Sequence, residues 1–234
     1  MPTRANALAI MAKAPIPGGV KTRLVPPLTC EQAAELYRAV LEDQLEQLAG
    51  VEFAERYLAY APADCEAALR ALGGAVFGYL PQRGADLGKR MESLCVDLLG
   101  FGHRNVIIMG SDLPGLPMEV VGEAFTKLSS AAEHVVLGPS RDGGYYLIGM
   151  NHPRREVFAD MTWSHDRVLA QTIARLEQLD IPYSLLPAWF DLDRLEDLDH
   201  LAKKITPALR SRLRRTLVCL ENLGCQVPSA GRSC

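Results

Sequence analysis

Ala7-Leu8-Ala9-Ile10-Met11-Ala12 runs apolar without a break, and the chain then turns through Lys13-Ala14-Pro15-Ile16-Pro17-Gly18-Gly19-Val20-Lys21-Thr22-Arg23-Leu24. The apolar run is too short to span a membrane and lacks the cleavage region of a secretory signal, so it predicts a buried strand. The loop behind it sets three cations, two glycines and a hydroxyl close to the strand's carboxyl end. Glycine lets backbone approach an anion closely, and lysine and arginine neutralise it. A di- or triphosphate fits that chemistry, with Lys13, Pro15, Gly18, Gly19, Lys21, Thr22 and Arg23 as the candidate contacts. The loop is not a Walker loop, because Val20 stands where glycine must precede the lysine, and its glycine spacing is not that of a Rossmann fingerprint. The plain alternative is a proline-stiffened surface loop in solvent.

Outward from this segment, short apolar runs alternate with helical patterns. Strands are expected at Arg56–Ala61, Val76–Pro81, Val106–Met109, His134–Leu137, Tyr145–Met150 and Tyr183–Leu186. Helices are expected from Cys30 to Gly50, Ala63 to Leu72, Gly84 to Leu99, Pro117 to Leu128, Arg167 to Leu179, Leu195 to Ile205 and Ala208 to Leu223. Thr29 with Gln32 forms a capping-box pattern at the start of the first helix. Such alternation predicts an α/β fold, a three-layer α/β/α sandwich around a mostly parallel, mixed sheet, with ligands outside the carboxyl ends of the strands. A chain of 234 residues, 48% apolar and 23% charged, with formal net charge −3, reads as one domain with its core over about residues 7–205. The C-terminal helix and tail cover 206–234, and the last ten residues are expected to fray. The charge balance argues against nucleic-acid binding. Six cysteines without a C-x-x-C pair read as reduced thiols in a cytoplasmic protein. The arginines of the C-terminal helix read as a solvated face.

Three more motifs carry chemistry. In Gly110-Ser111-Asp112-Leu113-Pro114, a carboxylate directly after a β-branched strand can bind Mg²⁺ or Mn²⁺ together with substrate phosphates, or simply cap the turn. In Phe190-Asp191-Leu192-Asp193, two carboxylates two residues apart on an extended segment point the same way and can share a cation. Alternatively they cap the following helix, Asp193 being the better cap and Asp191 the better ligand. Gly138-Pro139-Ser140-Arg141-Asp142-Gly143-Gly144-Tyr145-Tyr146 is a tight turn, or an acceptor-side wall in which Asp142 accepts hydrogen bonds, Gly143 and Gly144 leave space and Tyr145 or Tyr146 lines the pocket. Gln82-Arg83-Gly84-Ala85-Asp86-Leu87-Gly88-Lys89-Arg90-Met91 joins a strand to a helix and can hold a base and sugar, with Gln82 and Gly84 the leading candidates. Trp163-Ser164 is a helix entry or a substrate contact.

Taken together, Lys13-x-Pro15-x-Pro17-Gly18-x-x-Lys21-Thr22-Arg23-Leu24, Gly110-x-Asp112-x-Pro114, Asp142-Gly143-Gly144-Tyr145-Tyr146 and Asp191-x-Asp193-x-x-Glu196-Asp197-Leu198 resemble, over roughly residues 7–200, the nucleotide-diphospho-sugar transferase superfamily with its GT-A-like fold. Within it the sequence is most similar to a bacterial glycosyltransferase group that is itself similar to phospholactate guanylyltransferase and the molybdenum-cofactor nucleotidyltransferases. The resemblance implies that Gly18 to Arg23 hold nucleotide phosphates, that Asp112 binds the metal and Asp191/Asp193 supply the second carboxylate, and that Asp142 to Tyr145 face the acceptor. Pro15 and Pro17 depart from the glycine-rich opening of many nucleotidyltransferases, which favours a nucleotide-sugar donor over a triphosphate.

The expected protein is therefore a metal-dependent transferase using a nucleotide-sugar and a small-molecule acceptor, with Lys21, Arg23 and Asp112 as the catalytic set. Nucleotidyl transfer from an NTP to a phosphorylated acceptor and catalytically silent nucleotide binding are the alternatives. Neither a membrane span nor a nucleic-acid partner is expected, and homo-oligomerisation is left open. Lys21→Ala is expected to weaken nucleotide binding without unfolding, on the premise that the loop is exposed. Asp112→Asn is expected to lower turnover by at least about a hundredfold, or roughly 3 kcal/mol. Steady-state kinetics on the folded variant check this, and near-wild-type turnover removes Asp112 from the chemistry.

Overall fold

The uninterrupted apolar run of β1 (Asn6–Lys13) is explained by burial on both faces: Leu8, Ile10 and Ala12 meet one helical layer, and Ala7, Ala9 and Met11 the other. This computed structural model describes residues 5–163 and 165–225. The expected fraying beyond Cys225 and the reading of Ser164 lie outside the described residues.

β1 pairs in parallel with β2 (Glu55–Ala61) on one side and with β4 (Asn105–Gly110) on the other. β3 (Gly78–Pro81) extends the sheet beyond β2. On the other side β6 (Tyr145–Met150) lies antiparallel between β4 and β5 (Val135–Pro139), and β7 (Tyr183–Leu185) ends the sheet parallel to β5. The order is β3-β2-β1-β4-β6-β5-β7, a seven-stranded mixed, mostly parallel sheet as the sequence predicts. The antiparallel strand follows from chain length: the turn at Ser140–Gly144 is too short for the crossover that a parallel pair requires.

Helices α1 (Cys30–Ala49), α2 (Glu66–Gly73) and α4 (Met118–Ser129) cover one face of the sheet. Helices α3 (Leu87–Gly100) and α5 (Val168–Gln178) cover the other. The capping box of α1 is complete, with Gln32 N–H donating to Thr29 Oγ1 at 3.2 Å and Thr29 N–H to Gln32 Oε1 at 2.8 Å. Three expected boundaries move, the first being that Ala63–Cys65 form a 3₁₀ turn ahead of α2. Val76 sits in a 3₁₀ turn before β3, and Gly84 lies outside α3, which Asp86 caps by accepting from Lys89 N–H at 2.8 Å.

The far side of α1 is also buried, under α6 (Leu195–Lys204), α7 (Pro207–Arg212) and α8 (Arg214–Asn222). These add helices beyond the three-layer sandwich. The single helix expected over 208–223 is two helices, broken at the fully buried Leu213. The break is held by Asp43 of α1, which accepts from the backbone N–H groups of Arg215 at 3.0 Å and Thr216 at 2.8 Å and from the Thr216 hydroxyl at 2.8 Å. A buried carboxylate thus satisfies the first free N–H groups of α8. Of the C-terminal arginines, Arg214 and Arg215 keep exposed side chains, as expected of a solvated face, and pair there with Glu46 on α1, whereas the half-buried Arg212 donates to the Gly115 carbonyl at 3.1 Å. Among the described residues five cysteines carry free thiols, and no helix is long and apolar enough to cross a membrane.

Candidate active site

From β1 the chain builds outward to β2 and β3, then returns to place β4 on the other side of β1. Loops leaving the carboxyl ends of β1 and β4 diverge there, and open α/β sheets leave a ligand crevice at that switch point. A cleft of about 810 Å³ opens at this end of the sheet. It is fed by the segments that follow β1, β3, β4, β5 and β7.

The loop after β1 is not a solvated ribbon. Val20 and Leu24 are buried in the core, and between them Lys21 turns inward with a left-handed backbone, φ 49°. Its side chain is only 4% exposed. The ammonium contacts Asp112 Oδ2 at 2.7 Å and lies 3.6 Å from Asp193 Oδ1. Arg23, half exposed, bonds the other oxygen of Asp193 at 2.8 Å. Burial alone would lower the Lys21 pKa, but the Asp112 charge and hydrogen bond, with Asp193 behind them, outweigh it, and the pKa is raised. This corrects the expectation of an exposed lysine: truncating Lys21 strips two carboxylates of their counter-charge and touches folding as well as binding.

Asp112 is placed by its neighbours. Ser111 Oγ and Tyr37 Oη lie 2.8 Å apart, the Tyr37 hydroxyl also accepts from Lys13 N–H at 3.0 Å, and Gln44 of α1 donates to the Gly110 carbonyl at 2.9 Å. The Asp112 carbonyl accepts from Leu192 N–H at 3.0 Å, which draws the segment after β7 against the turn after β4. In that segment Phe190 and Leu192 are buried, so Asp191 and Asp193 project to the cleft side, as the alternation predicts. Neither caps α6. Asp197 does so, accepting from the N–H groups of Asp193 at 2.9 Å and Arg194 at 2.6 Å.

Asp191 Oδ1 accepts from the Ser140 hydroxyl. Its pKa is raised, first by burial and further by the charges of Asp112 and Asp142, against the lowering effect of Ser140. A cation would relieve this crowding of like charge. All the donors are hard oxygens, which suits Mg²⁺ or Mn²⁺. No group of three His, Cys, Asp or Glu among the described residues is arranged to hold a metal by itself, so a cation here needs substrate oxygens to complete its shell. Asp112 and Asp191 are the residues to hold it, because both oxygens of Asp193 already face Lys21 and Arg23.

The far wall is aromatic. Tyr145 meets Trp163 edge to face, with centroids 6.5 Å apart. Trp163 rests directly on Gly88, where a Cβ would come within 2.3 Å of the indole. Asp142 caps its own turn, accepting from Gly144 N–H at 2.9 Å, and lines the cleft as well. Gly143 has φ 88° and lies so close to Asp166 that a Cβ would meet its carbonyl oxygen at 2.0 Å. Tyr146 is buried, its hydroxyl donating to the Pro187 carbonyl at 3.0 Å, and it borders the cleft beside Tyr145.

Lys13, Gly19, Thr22 and Gln82 reach the cleft with these groups. Gln82 is already engaged, its amide donating to the carbonyls of Ala12 at 3.2 Å and Ala59 at 2.9 Å, so its free atom is an acceptor. Pro15, Gly18 and Gly143 shape the surrounding loops without lining the cleft, and Gly84 borders a separate shallow hollow with Arg83 and Glu92. Sequence reasoning missed Arg194 and His165, which face the cleft, as does Arg90 from the Gln82–Met91 segment expected there. It also missed Tyr37 and Ser111, whose positions read as helix core and turn.

The family model described as "uncharacterized protein conserved in bacteria" (DUF2064) matches residues 44–165, more than half of the chain. A solved structure from Desulfovibrio desulfuricans G20, provisionally named a nucleotide-diphospho-sugar transferase, is 31% identical with TM-score 0.84, over 93% of this chain and 97% of that one. A cytidylyltransferase from Leptospira borgpetersenii is 12% identical with TM-score 0.56, over 98% and 99% of the two chains. A protein from Thermus thermophilus named mannose-1-phosphate geranyltransferase is 17% identical with TM-score 0.53, over 87% and 80%. The latter two share the fold. No curated protein matches the sequence.

Gly88→Ala is expected to dislodge the Trp163 indole. In a Trp189→Phe background, which leaves Trp163 as the sole tryptophan, its emission should shift to the red; an unchanged spectrum contradicts the packing.

Proposed function

The chain belongs to the bacterial family DUF2064 and has the nucleotide-diphospho-sugar transferase fold, and from that premise we propose that it is a metal-dependent transferase that moves a sugar from a nucleotide-sugar to a small-molecule acceptor. The observation that carries the reading is the opposition, within one cleft at the switch point, of the Asp112 and Asp191 carboxylates and a cationic set of Lys21 and Arg23. Carboxylates suit a divalent cation, and the cations suit the phosphates it accompanies. Two features support a diphosphate-sugar over a triphosphate. Lys21 is committed to Asp112 and Asp193 rather than free for a further phosphate. The wall of Tyr145 and Trp163 offers aromatic surface on which the C–H face of a sugar ring can pack.

A Mg²⁺ or Mn²⁺ held by Asp112 and Asp191 would supply positive charge to stabilise the leaving group. The chain's own residues do the rest. Arg23 would donate to the departing diphosphate, a charge-assisted hydrogen bond contributing about 1.5–3 kcal/mol, while Lys21, held by Asp112 and Asp193, adds its positive charge nearby. Asp142 spends one oxygen on Gly144 N–H and can hold an acceptor hydroxyl with the other. The bond between the sugar carbon and the phosphate oxygen breaks, the acceptor oxygen bonds that carbon, and the hydroxyl proton passes to a carboxylate. Positioning and electrostatics dominate such a reaction. A cytoplasmic setting goes with this reading, supported by the free thiols.

The test is thermal denaturation with Mg²⁺ or Mn²⁺ and a panel of four NTPs and UDP-, GDP- and dTDP-sugars, since ligands that bind only the folded state raise its melting temperature. A metal-dependent rise with one nucleotide-sugar is expected. A rise with one NTP alone would redirect the assignment to nucleotidyl transfer, and no rise across the panel would remove the nucleotide.

A further inference from the structure

Lys21 occupies the place where a cation is most needed. Its ammonium lies against Asp112 and near Asp193, and the charge of Asp112 reaches in turn the Asp191 carboxylate that burial already crowds. It is not free to leave easily. Val20 and Leu24 anchor the backbone on either side, Leu24 N–H bonds the Lys21 carbonyl at 2.9 Å, and the ammonium sits 5.9 Å from the Tyr37 ring centroid. Any metal ion bound to Asp112 would stand within a few ångström of this ammonium. Repulsion at that range is weakly screened by salt where the lysine has almost no contact with solvent.

We infer that Lys21 is the resident cation of the carboxylate floor and that it holds off free divalent metal, so that metal enters together with a nucleoside diphosphate. The inference rests on the proposed reading of the cleft as a metal–diphosphate site and concerns its order of binding. Without nucleotide, Lys21 supplies the counter-charge to Asp112 and Asp193, and a metal ion must bind against a fixed positive charge. With nucleotide, the diphosphate places negative charge between the ammonium and the metal, and both cations are retained. Metal and nucleotide then strengthen each other's binding by the same factor, as linkage requires. Lys21 acts here as a positioning residue, through charge.

The variant Lys21→Met keeps an unbranched apolar stem in the buried channel and removes the charge. Calorimetric titration with MnCl₂ alone should show it binding Mn²⁺ at least about tenfold more tightly than wild type, a gain that loss of a merely structural residue would not produce. In wild type, saturating UDP or GDP, whichever binds, should tighten Mn²⁺ by about tenfold or more, and in Lys21→Met by clearly less. Lys21→Arg, which keeps the charge, should retain weak binding of Mn²⁺ alone. Equal or weaker Mn²⁺ binding by a folded Lys21→Met overturns the inference while leaving the site intact. No Mn²⁺ binding by either protein, with or without UDP or GDP, overturns the site itself and the inference with it. A measurement on wild type covers failure of Lys21→Met to fold: in lysine-¹³Cε-labelled protein the Lys21 resonance should stay in place with millimolar Mg²⁺ alone and move with Mg²⁺ and the nucleoside diphosphate together. An equal shift with Mg²⁺ alone overturns the inference.

Discussion

A lysine ammonium shut away from water must be given counter-charge, and Lys21 obtains it from Asp112 and Asp193. Those three residues come from three separate segments: the loop after β1, the turn after β4 and the strand-like run after β7. Bringing them together fixes the floor of the cleft. The backbone bond from Leu192 N–H to the Asp112 carbonyl and the salt bridge from Arg23 to Asp193 hold the same three segments from either side. Removing one partner of a buried, paired charge is costly because the other remains desolvated, so this junction is the least tolerant part of the cleft to single substitution.

The rest of the architecture supports that junction. α1 is buried on both sides: its sheet-facing residues, with Tyr37 and Gln44, reach the turns after β1 and β4, and its outer residues carry α6 to α8. The segment bearing Asp191 and Asp193 passes between, with Phe190 and Leu192 in the outer core. The added helices therefore have a functional consequence. They press the second carboxylate segment against the first loop, with Asp43 holding the start of α8 to α1. The opposite wall is set by close packing rather than charge, through Trp163 on Gly88 and Gly143 against Asp166.

Local rules made some of this legible in the sequence. Thr29 and Gln32 marked the start of α1 because a capping box is a contact between near neighbours, and the apolar run at residues 7–12 marked β1 because burial on both faces erases alternation. The alternation of Phe190, Asp191, Leu192 and Asp193 placed both carboxylates on one side. What stayed hidden depends on partners distant in the chain. Proline, glycine and three cations made residues 13–24 look solvated, yet Val20 and Leu24 find core there and Lys21 finds Asp112, 91 residues away. The break at Leu213 comes from Asp43, far off on α1, and no residue near Leu213 signals it. Asp193 looked like a cap, but Asp197 takes that role from inside the helix. Arg194 and His165 carry no local motif, and their arrival at the cleft is a product of the fold.

The most direct measurement is anomalous diffraction from crystals grown with Mn²⁺ and UDP or GDP, whichever of the two the protein binds. One manganese peak is expected at coordination distance from Asp112 on the Asp191 side, with the phosphates beside Lys21 and Arg23. A nucleotide bound elsewhere, or a diphosphate in the cleft with no manganese near Asp112, would contradict it.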